Sequence, residues 1–187
     1  MNCKKCGHNF AFKASGVDVS VTPELKSQIK DGSFFVVQCP ACGEAQLYDD
    51  NFFYHDPSEH LLIVLSKTVL SSDEKPGYTC RRVESVGELI EKINIVDAGL
   101  DDIAIELCKY ILQQEMKKDM ALKFYRMEGS DGDFTFAYPE DGQMQMLQVS
   151  QGLYADALGI LSRNPAISRA ASTLIRVDQN FIRTIFS

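Results

Sequence analysis

Two short knuckles constrain this chain more than any other feature: Cys3-Lys4-Lys5-Cys6-Gly7 near the start and Cys39-Pro40-Ala41-Cys42-Gly43 further on. In a Cys-x-x-Cys unit the chain folds back so that both sulfurs reach one ion at about 2.3 Å. The glycine after the second cysteine supplies the left-handed backbone that such a turn wants. Two units of this kind, with 32 residues between Cys6 and Cys39, predict one tetrahedral zinc site with Cys3, Cys6, Cys39 and Cys42 as ligands. Four protein ligands leave no open coordination position, so the expected role is structural. Iron is the rival occupant, since mononuclear iron and iron–sulfur centres also use four cysteines. A thioredoxin-like redox pair would sit at a strand–helix junction of a βαβ pattern, and neither knuckle does.

The 187 residues suit one compact domain or two small ones, and 45% hydrophobic content is enough for an ordinary core. Lys and Arg number 19 against 26 Asp and Glu, giving a net charge of -7 with no basic stripe. Nucleic-acid binding draws on clustered Lys and Arg, so this balance argues against it. If a ribbon of this kind did bind nucleic acid, Lys4, Lys5, Lys13, Lys26 and Lys30 would be the contacts. Apolar runs such as Leu61 to Leu65 are too short to span a bilayer. No apolar stretch follows the first lysines as a secretory signal would require, so the expected location is cytoplasmic. Reduced thiols persist there, which favours metal over disulfide.

Residues 1–72 read as a β-rich, zinc-ribbon domain and residues 73–187 as an α+β domain. Phe10 and Phe12, then Val17, Val19 and Val21, alternate with polar or small residues and predict two strands around a turn at Ser15-Gly16. Thr22-Pro23-Glu24 opens a short helix that Asp31-Gly32 closes. Phe34 to Val37 reads as a buried strand entering the second knuckle, and Ala45 to Tyr48 as a strand leaving it. Asp49-Asp50-Asn51 turns the chain, and Leu61 to Leu65 is a further strand. Residues 71–77 form the linker candidate.

Beyond the linker, Ser85-Val86-Gly87-Glu88 matches a capping box. Val86, Leu89, Ile90 and Ile93 then follow helical spacing. A second helix from Asp101 to Met116 has the stripe Leu100, Ile103, Ala104, Leu107, Cys108 and Ile111, with Asp102, Glu106, Lys109 and Gln113 opposite. Strands around Phe124, Phe134 to Tyr138, and Met144 to Val149, with turns at Asp131-Gly132 and Asp141-Gly142, predict an antiparallel meander that carries the helix pair on one face. Met144 and Met146 are read as core residues. Leu153, Ala157, Ile160 and Leu161 mark a last helix before Pro165. The fold class is therefore α+β: an N-terminal zinc ribbon with extra β-strands, then a helix pair on an antiparallel sheet.

Other chemistry-bearing residues are sparser. His55 and Asp56 could orient a general base. Asp97, Asp101, Asp102 and Glu106 could hold a hard cation, although carboxylates in a first helical turn also favour the dipole. A metal-dependent hydrolase would need His55, Asp56, Asp101 and Asp102 in one pocket. Cys108 sits on an apolar stripe as a small hydrophobe, and Cys80 precedes Arg81-Arg82. His8 follows the first knuckle as a turn residue.

Several motifs resemble the CpXC family in order and spacing. They are Cys3-x-x-Cys6-Gly7-His8-x-Phe10, Thr22-Pro23-Glu24-Leu25-Lys26, Asp31-Gly32-x-Phe34-Phe35, Cys39-Pro40-x-Cys42-Gly43 and Phe53-Tyr54-His55-Asp56. Glu88 to Ile93, Gly99 to Asp102 and Glu106-Leu107 look like the part that often follows, so the resemblance spans roughly residues 1–120. Lys4 departs from the proline that the family tends to have in the first knuckle. The resemblance implies a bacterial or archaeal cytoplasmic protein with a cysteine-bound metal, and implies no activity. The function expected from these features is a non-enzymatic, zinc-stabilised module for protein interaction or regulation, with a protein partner.

Overall fold

The computed structural model describes residues 1–12, 14, 16–18, 22–48, 50–68, 75–129 and 132–186. The chain divides into two compact units, Met1–Ile90 and Glu91–Ser187. The fold is α+β in the arrangement expected. The turns predicted at Ser15 and Asp131, the strand continuation through Val19 and Val21, and residues 71–74 of the linker candidate lie outside the described residues.

The first unit begins with the ribbon. An isolated antiparallel bridge joins Asn2 to Asn9 around the first knuckle. The second knuckle lies between β2 (Val36–Gln38) and β3 (Ala45–Leu47), which pair antiparallel. Between them α1 (Pro23–Lys30) starts at proline, where the missing amide costs nothing. It ends at Gly32, whose φ is 81°. Two expectations change here. Phe10 and Phe12 lie outside any strand; that segment pairs only through the Asn2–Asn9 bridge and the backbone hydrogen bonds that Phe10 exchanges with Met1 beside it, at 3.0 and 2.8 Å, among the described residues. Phe34-Phe35-Val36-Val37 is not a buried strand, because Ser33–Phe35 forms a 3-10 turn and Val36 is 51% exposed. Phe35 and Val37 point inward, and Phe35 meets Phe34 and Phe52 ring to ring.

A mixed four-stranded sheet completes this unit. Its order is β1 (Val17–Asp18), β4 (Phe52–Asp56), β5 (Leu61–Leu65) and β6 (Thr79–Val83). The β4–β5 pair is antiparallel; β1–β4 and β5–β6 are parallel. Central β5 is almost wholly buried, as an apolar run in an inner strand should be.

Helix α2 (Val86–Asp97) begins as the capping box predicts: the Ser85 hydroxyl accepts the Glu88 amide at 3.2 Å. The Glu88 carboxylate reaches one residue further back than the motif implies, to the Glu84 amide at 3.0 Å. In the second unit α3 (Asp102–Met116) is capped by Asp101, which accepts the amides of Ile103 and Ala104. A meander follows: β7 (Lys123–Glu128), β8 (Asp133–Glu140) and β9 (Gln143–Val149), then α4 (Gln151–Arg163), α5 (Pro165–Ala170) and α6 (Gln179–Phe186). The core gathers Ile103, Leu107, Phe124, Phe134, Phe136, Ala157 and Ile182. Met144 and Met146 are not part of it. They are 62% and 54% exposed, because the β8–β9 register turns Leu147 and Val149 inward instead.

The face of α3 that carries Asp102, Glu106, Lys109 and Gln113 is also not solvated: all four are buried, as are Glu91 and Lys92 of α2. Lys109 donates to Glu91 at 2.6 Å and to Glu106 at 2.7 Å. Lys92 pairs with Asp102 at 3.0 Å and donates to the Val177 carbonyl at 2.9 Å. Gln179 donates to Glu106 at 2.8 Å, and the Phe124 amide to Glu91 at 2.6 Å. Burial alone would neutralise these groups. The Lys109 and Lys92 charges outweigh it and hold Glu106 below the usual carboxylate range, while Glu106 and Glu91 hold Lys109 above its own.

Candidate metal centre

The two knuckles share one local fold. Cys3 N–H donates to the His8 carbonyl at 2.9 Å, and Cys39 N–H to the Glu44 carbonyl at 2.8 Å. Gly7 N–H closes on Cys3 at 3.0 Å, and Gly43 N–H on Cys39 at 2.9 Å. Both glycines have φ of 72°, where an L side chain would be strained. The first cysteine of each knuckle is buried and the second exposed. The two units are thus equivalent halves, each closing one side of a single site.

Their sulfurs converge. Cys3 Sγ lies 3.6 Å from Cys42 Sγ, and Cys6 Sγ lies 3.8 Å from Cys39 Sγ. All four fall within 4.8 Å of one another. A tetrahedron with 2.3 Å metal–sulfur bonds has edges of about 3.8 Å, so the cross-knuckle spacings match those of one four-coordinate ion. A disulfide needs about 2.05 Å, and all six cysteines are free thiols. The amides of Cys6 and Lys5, with the neighbouring thiols, pull Cys3 down to about 6. The Glu44 amide pulls Cys42 down as well, but the three other thiols and burial together push it up to about 12. Cys3 therefore gives up its proton readily and Cys42 reluctantly, and a cation is the natural replacement for these protons.

Gln46 braces the site, and nothing in the sequence singled it out. Buried on β3, it accepts the Lys4 amide at 3.1 Å and donates to the Asn2 carbonyl at 3.3 Å, tying the second hairpin to the first knuckle. Lys5 faces Glu44 at 3.0 Å rather than the sulfurs. His8 contributes its backbone carbonyl to the knuckle and stacks on Phe10. Beside the ribbon is a cavity of about 480 Å³ lined by Lys4, Phe12, Gln46, Tyr48 and Lys67 among others.

The remaining candidates are engaged elsewhere. Asp56 is buried and organises the turn before β5, accepting the Ser58 hydroxyl at 2.6 Å and Lys26 at 3.0 Å. His55 is bracketed by Asp18 at 3.2 Å on Nδ1 and by Lys75 at 2.9 Å on Nε2. A lysine donor on Nε2 leaves Nδ1–H to donate to Asp18. Asp101 caps α3 and Asp102 pairs with Lys92, both in the second unit, whereas His55 and Asp56 are in the first. Cys80 is buried in β6, and burial pushes Cys108 up to about 12. Of the five lysines considered for nucleic acid, Lys5 and Lys26 hold acidic partners, and Lys13 lies outside the described residues. Among the described residues no helix is long and apolar enough to cross a membrane.

No curated protein and no solved structure matches the chain. A family model described as CpXC protein matches residues 1–109, more than half of the sequence and inclusive of all four cysteines. That match, over a four-cysteine site of this geometry, makes the chain a member of the CpXC family.

Proposed function

We propose that Cys3, Cys6, Cys39 and Cys42 bind one structural Zn²⁺, and that the ribbon it staples serves as a non-enzymatic module for binding a protein partner. The observation that carries the metal reading is the pair of cross-knuckle sulfur distances, 3.6 and 3.8 Å, on two equivalent hairpins. Four thiolates close the coordination sphere, so the ion contributes folding free energy rather than a reactive water, on the order of 10 kcal/mol in small zinc domains. The interaction reading is supported by the surface the staple displays. Val36 and Leu47 are cross-strand partners on β2 and β3, 51% and 48% exposed, an apolar pair facing solvent on a short sheet.

Elemental analysis of the purified protein is expected to give one zinc per chain, and Cys39→Ser to abolish it. Chelation is expected to erase amide protection in β2 and β3. Stoichiometric iron in place of zinc overturns the metal reading. For the partner, affinity capture from native lysate is expected to recover one stoichiometric protein that Leu47→Asp no longer holds. No such protein, together with turnover of a small molecule, overturns the interaction reading.

A further inference from the structure

The outer edge of β9 offers a second surface, independent of the cysteine cluster and beyond the residues the family model matches. β9 pairs with β8, and among the described residues no strand pairs with its other side. Asp141 and Gly142 connect the two strands with φ of 50° and 76°, the paired left-handed residues of a type I′ turn. Such a hairpin closes on a hydrogen-bonded pair, here Glu140 with Gln143. Pairs alternate from there. Gln143, Gln145, Leu147 and Val149 direct their backbone groups to β8; Met144, Met146 and Gln148 direct theirs outward.

Exposed edges invite pairing, and proteins normally block them with charge, proline or a bulge. The opposite edge of this sheet is blocked in that way. β7 carries Lys123, Arg126 and Glu128, and its register breaks between Phe124 and Arg126. β9 has none of these devices. Its sequence, Gln-Met-Gln-Met-Leu-Gln-Val, has no charge and no proline, and its register runs unbroken from Gln143 to Val149.

We propose that β9 pairs with β9 of a second copy of this chain, antiparallel about a twofold axis at Met146, joining two three-stranded sheets into one of six. The free backbone groups are spaced evenly about Met146, so the strand is its own complement. Met146 faces Met146, Met144 faces Gln148, and Gln143 faces Val149, with about six new backbone hydrogen bonds. Charge selects this edge for self-pairing. The chain carries -7 overall, so most of its surface repels a copy, whereas β9 is neutral. The nearest acids lie off this edge: Asp141 is in the turn, and Glu140 is on β8, where it already pairs with Lys118. The exposed methionines, adaptable in shape, cover one another across the axis. One strand pair is a small interface, so the association is weak.

The test is sedimentation velocity of the full-length protein over a wide concentration range. Wild type is expected to move from monomer to dimer as concentration rises. Met146→Lys and Met146→Glu each place like charges at the axis, and each is expected to weaken dimerisation by about tenfold or more. An equimolar mixture of the two restores it. Met146 is exposed, so both variants keep the fold, which circular dichroism checks. A wild type that stays monomeric throughout overturns the proposal. So does a dimer indifferent to both substitutions, or a mixture that stays monomeric, since a strand pairing with anything but itself gains nothing from opposite charges at residue 146.

Discussion

Replacing Lys109 by methionine keeps the apolar stem and removes the ammonium at the centre of the buried network. Its nitrogen donates to Glu91 at 2.6 Å and Glu106 at 2.7 Å, all three residues being buried. Two charge-assisted hydrogen bonds at about 1.5–3 kcal/mol each give a loss of about 3–6 kcal/mol. Stranding one member of a buried ion pair costs about 3–5 kcal/mol. The two routes agree. What remains around the carboxylates is insufficient: Glu91 keeps the Phe124 amide and, at 3.8 Å, the half-exposed Lys123, and Glu106 keeps Gln179 and, also at 3.8 Å, Lys92. Native-state hydrogen exchange should therefore show protection of the α3 amides falling by roughly two to four powers of ten at neutral pH. The pH dependence carries the sign. In the wild type Glu106 sits below its ordinary value, so its contribution is present above that value and lost as pH falls through it. Without Lys109, burial prevails and lifts Glu106 above its ordinary value, so the variant takes up a proton to fold. The gap between the two proteins must then shrink toward about pH 4.5. A loss below about 1 kcal/mol at pH 7, or an equal loss at both pH values, refutes the claim that this cluster is a charged network.

Two further substitutions probe the first unit. Burial raises Asp56, but Ser58 and Lys26 outweigh it and hold the carboxyl below its usual range, so its stabilisation is present at neutral pH and disappears on acidification. Asp56→Asn should cost about 1–3 kcal/mol at pH 7 and flatten the acid limb of a urea-stability profile; an unchanged acid limb refutes it. Gly16 has φ of 147°, and a Cβ there would lie 2.7 Å from the Phe53 carbonyl oxygen, a backbone atom that cannot swing aside. At Gly142, with φ of 76°, a Cβ would meet nothing within 4 Å. Gly142→Ala should cost about 1–2 kcal/mol, the left-handed penalty alone, and Gly16→Ala distinctly more. Equal melting-temperature shifts would refute the argument from the close approach.

The four-cysteine cluster was legible because its chemistry is local: the cysteine spacing, the following glycine and the hairpin around each pair are all written in a few consecutive residues. The helices were legible for a similar reason, their apolar spacing being unambiguous from Val86 to Ile93 and from Ile103 to Ile111. Strands β4 and β6 were not. Phe52-Phe53-Tyr54-His55-Asp56 turns an aspartate inward, and Thr79-Cys80-Arg81-Arg82-Val83 buries an arginine. Each breaks the apolar alternation that identifies a strand, and each depends on its neighbours to do so: β4 on Lys26 and Ser58, β6 on pairing with β5.

The two misplaced faces have a common physical origin. Along β9, Met144 and Met146 share one parity and Val149 the other, so they cannot all face one core. The hairpin register decides which parity is buried, and it sets Leu147 and Val149 against the core. On α3 the stripe Asp102, Glu106, Lys109, Gln113 has the spacing of a solvated face. It is buried because Glu91 and Lys92, on a different helix, supply the missing halves of its ion pairs. A periodic pattern shows that residues share a face; whether that face meets water is decided by what the opposing element brings to it. Counter-charges arranged to meet Asp102, Glu106 and Lys109 turn the polar side of an amphipathic helix into an interior surface. An edge strand stripped of charge, such as β9, invites the converse arrangement, in which apolar residues wait at the surface for a second copy to bury them.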